Sequence, residues 1–150
     1  MITVETRTTF DASAAAVFAV LTDLEARAIW LSPGILEDRV TPAGPARLGA
    51  SLFESGKYSG FKSEKTMLVT EFEQDRRLSL ATPPEVRESF RESYRLEQLS
   101  AESCRLHVTV EVGGVPKLAE FFMRQSLTKE QAQAMEQLKS ILANRTLETH

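Results

Sequence analysis

Residues 90–112 read FRESYRLEQLSAESCRLHVTVEV, and the way this stretch pairs with itself decides the architecture. Phe90, Tyr94 and Leu96 share one face of an alternating strand, and Arg91, Ser93 and Arg95 share the other. The segment CRLHVTVEV alternates in the same way. With Ser100-Ala101-Glu102 as the loop, Leu96 faces Leu106, Tyr94 faces Val108 and Glu92 faces Val110. On the reverse face Arg91 meets Glu111, Ser93 meets Thr109 and Glu97 meets Arg105. Each such cross-strand pair is worth about 0.2–1 kcal/mol. A shift of one residue sets Glu92 against Glu111 and Leu96 against His107. It also swaps the faces of one strand, which a half-buried sheet resists. The favoured register leaves a carboxylate, Glu92, on the apolar face.

The chain around this hairpin reads as a strand, a helix pair, a run of antiparallel strands and a long helix, which is an α+β order with helices on one face of the sheet. ITVETRTTF is the first strand, with Ile2, Val4 and Phe10 in phase. In DASAAAVFAVLTDL, Asp11 or Ser13 can cap a helix whose stripe is Val17, Phe18, Val20, Leu21 and Leu24. Asp23 is placed to cap a second short helix, LEARAIWL, stopped by Pro33-Gly34. The strands ILEDRVT, ARLGASLFES, SEKTMLVTEFE and RLSLAT follow, separated by turn residues such as Pro42 to Pro45, Gly56 to Gly60 and Gln74-Asp75-Arg76. In KTMLVTEFE either Met67 with Val69 or Leu68 with Phe72 can face inward, and a bulge would reconcile them. Beyond Pro116 the sequence is rich in good helix formers to about Asn144. At ~1.5 Å per residue that helix spans roughly 40 Å. Thr128 with Gln131 resembles a capping box and allows a break near Ser126.

The chain has 150 residues, which suggests a single domain over residues 1–150. Apolar residues make up 42% and charged residues 26%, as in ordinary globular proteins. A net charge of −3 with scattered Lys and Arg speaks against a nucleic-acid groove. Cys104 stands alone, which suits a reducing compartment. No signal peptide and no apolar run of ~20 residues is visible, so a cytoplasmic location without a membrane span is the expectation. His107 falls on the outer face beside Arg95, and His150 ends the sequence, so no metal cluster is expected. No Ser-His-acid set, phosphate loop or dinucleotide fingerprint is present, and no cofactor is called for.

FDASAAAVFAVLTDLEARAIW resembles the opening of the START-like, or SRPBCC, superfamily, in which a strand leads to a short apolar helix ending near an Asp, with a Trp about seven residues on. Asp23 and Trp30 fit that pattern. LVTEFEQDRRLSLAT resembles the central hairpin of the same group, and YRLEQLSAESCRLHVTVEV its penultimate hairpin. The resemblance covers nearly the whole chain. It implies a helix-grip fold: a curved antiparallel sheet of about six to seven strands wrapped around a long C-terminal helix, with two short helices after strand one. It also implies a cavity between sheet and helix for a small apolar molecule such as a lipid or polyketide. It carries over no catalytic motif, because members include binders, ring-closing enzymes and protein regulators.

Candidate site residues follow from the inward faces. Glu92 can anchor the polar end of a ligand, act as an acid or base with Tyr94, or pair with a structural Arg. Phe90, Leu106 and Val108 share the face of Glu92 and Tyr94. On the last helix Phe121, Gln125, Thr128, Ala132, Met135 and Leu142 lie close to one stripe, widened by Leu118, Phe122 and Leu138. That stripe is expected to face the sheet, with Gln125 and Thr128 marking a wet or ligand-lined segment. Met67, Met123 and Met135 suit either a ligand surface or core filling, and Trp30 either closes the pocket or packs at the helix joint. A ligand-binding list of Trp30, Met67, Phe90, Glu92, Tyr94, Leu106, Val108, Phe121, Phe122, Gln125 and Met135 results. Binding of a small apolar molecule is the first expectation. A cyclase-like enzyme using Glu92 and Tyr94 is the second, and a protein-interaction role the third. Free sheet edges also leave room for pairing with a second copy.

Overall fold

In the computed structural model the hairpin of residues 90–112 takes the register that its side chains dictate. Arg91 lies opposite Glu111, Ser93 opposite Thr109, Tyr94 opposite Val108 and Glu97 opposite Arg105. The structure describes residues 1–31, 34–58 and 61–148. Pro33, the tip residues Ser59 and Gly60 of the GKYSG turn, and His150 lie outside them.

The element order is β1 (Ile2–Phe10), α1 (Ala14–Thr22), a single 3-10 turn (Leu24–Ala26), α2 (Arg27–Trp30), β2 (Ile35–Thr41), β3 (Ser51–Tyr58), β4 (Phe61–Glu73), β5 (Arg77–Ala81), β6 (Phe90–Ser100), β7 (Ser103–Val112) and α3 (Lys117–Glu148). The strands form one seven-stranded sheet in the order β1-β7-β6-β5-β4-β3-β2. Every neighbouring pair is antiparallel. The sheet is curved and carries the long C-terminal helix, the helix-grip arrangement.

Local chemistry explains most boundaries. Ser13 caps α1 by accepting from the Ala16 amide at 3.2 Å. Asp23 precedes the 3-10 turn but makes no side-chain cap bond, so that expectation is corrected. β3 begins at Ser51 rather than Ala46, because Arg47 to Ala50 form a turn with Gly49 at a φ of 86°. In β4, Met67 and Val69 are buried while Leu68 is exposed. A bulge between Val69 and Glu71 then brings Phe72 inward, its ring centroid 5.5 Å from that of Phe18.

α3 runs unbroken past Ser126. Its buried residues are Leu127, Gln131, Ala134, Met135, Leu138 and Leu142, and it packs on β1 and α2. The expected stripe through Phe121, Gln125, Thr128 and Ala132 is therefore wrong by roughly a quarter-turn of the helix. Phe121 and Phe122 are 64% and 70% exposed, and Leu118 is 92% exposed. Gln125 and Thr128 face solvent as well, and the buried polar side chain is Gln131. A continuous helix has one inward face. Here the rows ending in Met135, Leu138 and Leu142 set it, and the aromatic pair is carried outward.

Burial on that face predicts where stability resides. Leu138→Ala should lower unfolding free energy by about 2–5 kcal/mol. Phe121→Ala should change it by no more than about 0.5 kcal/mol. Urea unfolding followed by far-UV circular dichroism measures both, and equal effects would contradict the observed face.

Candidate functional site

Four charged side chains sit on faces that their sequence neighbours make apolar. Arg27 lies three residues from Leu24 and from Trp30, on the inner side of the short helices. Glu54 alternates in phase with Leu52, Lys65 with Met67 and Val69, and Glu92 with Tyr94 and Leu96. All four turn toward the interior, and they meet there.

Arg27 is the hub, at 1% exposure. Its Nε donates to Glu54 Oε2 at 2.7 Å and its Nη2 to Glu54 Oε1 at 3.3 Å. The same Nη2 donates to Glu92 Oε1 at 3.0 Å, and Nη1 lies 2.7 Å from Glu92 Oε2. Tyr94 Oη donates to Glu92 Oε2 at 2.8 Å and accepts from Arg27 Nη1 at 3.4 Å. Lys65 Nζ lies 3.5 Å from Glu54 Oε1. Trp30 packs its ring edge-on to Tyr94 and lies under the Arg27 guanidinium, so it is a packing residue of this cluster. Glu54 and Glu92 stand on β3 and β6, three strand spacings apart across the sheet and four residues apart along it, since Glu54 lies opposite Lys65 whereas Glu92 connects through Leu80 to Val69, which is roughly 20 Å on a flat sheet. One guanidinium reaches both because the sheet bends around it.

Electrostatics follow from that geometry. Burial alone would raise the Glu54 carboxyl, but the charge and hydrogen bonds of Arg27, with help from Lys65, hold it well below the usual carboxylate range. Burial likewise opposes the charge on Arg27, yet Glu54 and Glu92 outweigh it and keep the guanidinium more firmly protonated than usual. Burial and the negative charge of Glu92 push the Tyr94 phenol up. Burial lowers Lys65, an effect that Glu54 and Glu92 partly offset. Asp38 is the cross-strand partner of Glu54 on β2. As a carboxylate it would find no donor for either buried oxygen. Burial and the neighbouring Glu54 instead push it up to about 8, so near neutral pH it is an acid that can donate to Glu54.

A cavity of about 810 Å³ adjoins this cluster. It exists because β5 pairs with β4 only from Leu68 onward, leaving the first half of β4 without that neighbour. The 82–89 connection, the end of β7 and the first turns of α3 wall the space, which opens to solvent past Lys62, Glu64 and Glu88. Its walls include Val86, Phe90, Val115, Pro116, Ala119 and Met123, while Lys62, Glu64 and Glu88 are exposed lining residues. The Gly113 amide donates to Ser89 O at 3.0 Å, holding the connection against β7. Gly114 makes this approach feasible: its φ is 78°, and a Cβ there would meet the Arg87 carbonyl oxygen. Lys65 lines the cavity and also touches Glu54, so it joins the two features.

Of the residues weighed as lining a ligand space, Phe90 and Met123 are on this cavity. Trp30, Met67, Tyr94, Leu106, Val108 and Met135 are buried in the core, and Glu92 is held by Arg27 and Tyr94. Phe121, Phe122 and Gln125 point outward. Sequence reasoning missed Arg27, Glu54, Lys65 and Asp38. The first three carried the signal that exposed Glu92, a charge in phase with apolar neighbours. Among the described residues no group of His, Cys, Asp and Glu could hold a metal ion.

The fold and this interior lead to a definite class. The sequence matches the family model described as polyketide cyclase/dehydrase and lipid transport over residues 1–143, and the chain belongs to that family. No curated protein matches it. Among solved structures, a START superfamily protein from Mycobacterium smegmatis superposes with a TM-score of 0.78 at 14% identity, covering 95% of this chain and 97% of that one. The Zhui aromatase/cyclase from Streptomyces sp. R1128 gives 0.74 at 14% identity, with 96% and 94% covered. A norcoclaurine synthase from Thalictrum flavum gives 0.71 at 12% identity, with 96% and 95% covered. At these identities the likeness is one of fold. No described helix is long and apolar enough to cross a membrane.

The cluster makes two predictions. Arg27→Met strands two carboxylates in the interior and should cost about 3–5 kcal/mol at pH 7. Glu92→Gln, which keeps shape and an acceptor, should cost less, and urea titrations at that pH rank the two. Asp38 supplies the pH dependence. A carboxyl that titrates near 8 folded and near 3.8 unfolded stabilises the fold fully below about pH 4, and that contribution is lost as pH rises to about 8. Asp38→Asn should flatten the decline of the urea midpoint between pH 5 and pH 8, and an unchanged slope would refute the assignment.

Proposed function

We propose that this protein binds a small, largely apolar molecule in the cavity between the first half of β4, the 82–89 connection and the start of α3. The observation that carries this reading is the cavity itself. Its volume of about 810 Å³ falls within the roughly 300–1,000 Å³ typical of small-molecule sites. Its walls are mainly apolar, with a few polar groups, which suits a ligand held by burial and oriented by few hydrogen bonds. Membership of a family described by cyclisation, dehydration and lipid transport supports a small hydrophobic ligand. The acid–base candidates Glu92 and Tyr94 bind Arg27 and each other instead of lining this cavity, which favours binding over proton transfer by that pair.

Native mass spectrometry of protein purified from its own host should reveal a retained apolar metabolite. Ala119→Trp places an indole into the cavity wall. It should weaken binding of N-phenyl-1-naphthylamine, read by its fluorescence, at least tenfold, and leave the far-UV circular dichroism unchanged. Undiminished probe binding in a folded variant would move the ligand out of this cavity.

A further inference from the structure

Lys65 occupies an unusual position. It lies in phase with Met67 and Val69 on the inner face of β4, its side chain is 10% exposed, and it lines the cavity. Its Nζ is 3.8 Å from the centroid of the Phe90 ring and 3.5 Å from Glu54 Oε1. The ammonium therefore stands where the apolar cavity meets the charged cluster. It carries three donors on a rotatable bond, which it can share between Glu54 and an incoming acceptor. Charge arithmetic limits that acceptor. At the inner end of the cavity Arg27 and Lys65 face Glu54 and Glu92, two cations against two anions, with Asp38 beside Glu54 protonated near neutral pH, whereas Lys62, Glu64 and Glu88 stand at the exposed edge in contact with water. An anionic head group would bury an unmatched charge, and a cationic one would meet the ammonium head-on.

We infer that Lys65 is the polar anchor of this site, and that the ligand class is an uncharged molecule with an apolar body and one hydrogen-bond-accepting oxygen, such as a ketone, ester or phenol. The inference rests on the binding reading above and names the chemistry of that same cavity. The oxygen end lies at Lys65 and Phe90. The apolar body extends along Val115, Ala119 and Met123 toward the start of α3. A cation polarised toward Glu54 on one side discriminates the head group, while the walls accept any body of suitable size.

The probes are 2-acetonaphthone, its carbonyl-free counterpart 2-ethylnaphthalene, and the anion 2-naphthoate. Calorimetric affinities are compared for the wild type and Lys65→Met, which keeps side-chain length. The ketone-to-hydrocarbon affinity ratio should fall about tenfold in the variant, the size expected for losing a hydrogen bond from a charged donor. A ratio that does not change, with both probes still bound, overturns the anchor and leaves the cavity reading standing. Failure of every probe to bind the wild type overturns the cavity reading itself. A variant effect confined to 2-naphthoate overturns the uncharged head group. The infrared carbonyl stretch of 2-acetonaphthone bound to the wild type needs no variant. A band below its position in cyclohexane is the expected result, and a band at the cyclohexane position excludes a donor at the carbonyl.

Discussion

A guanidinium held between two carboxylates organises this molecule. Arg27 reaches Glu54 on β3 and Glu92 on β6, strands separated by two others. A flat sheet would hold the two carboxylate-bearing residues roughly 20 Å apart, and the curvature of the sheet brings them to one guanidinium. The contact also ties α2 to both halves of the sheet. α3 grips the β1 side, whereas α2 and its arginine hold the β2 side. Breaking such an interior pair is costly because the remaining charge has lost water as well as its partner.

The cavity and the cluster are products of the same bend. Where β5 ends at Ala81 and leaves β4, the sheet opens, and α3 crosses the gap with its less buried half. The space between is walled mainly by apolar groups, with Lys62, Glu64 and Glu88 at its exposed edge and Lys65 entering from the inner face of β4. Lys65 therefore gives the pocket a direction without placing an unmatched charge in it, since Glu54 is already beside it. Glu92 and Tyr94 complete the shell of Arg27 and make its burial tolerable.

Much of the fold was legible because it is written in local periodicity. The β6–β7 register follows from two charge pairs and one hydroxyl pair on one face and apolar pairs on the other. The uncertain parity of β4 resolves through a bulge that alternation alone suggests but cannot position. The inward face of α3 was misread because Phe121, Phe122 and Leu118 outweigh Gln131 and Ala134 in any count of apolar residues. The packed half of the helix chose otherwise.

By itself, the sequence determined the order of strands and helices, the antiparallel hairpin and the inward aim of Glu92, because neighbours along the chain decide these. The tertiary structure alone decided that Arg27, Glu54, Lys65 and Glu92 share one interior point, that Asp38 joins them, and that the open space lies beside Lys65 rather than beside Glu92. Those facts depend on how far a seven-stranded sheet bends, which sums the twist between strands and the bends at its bulges over the whole chain, so no single segment of sequence fixes it.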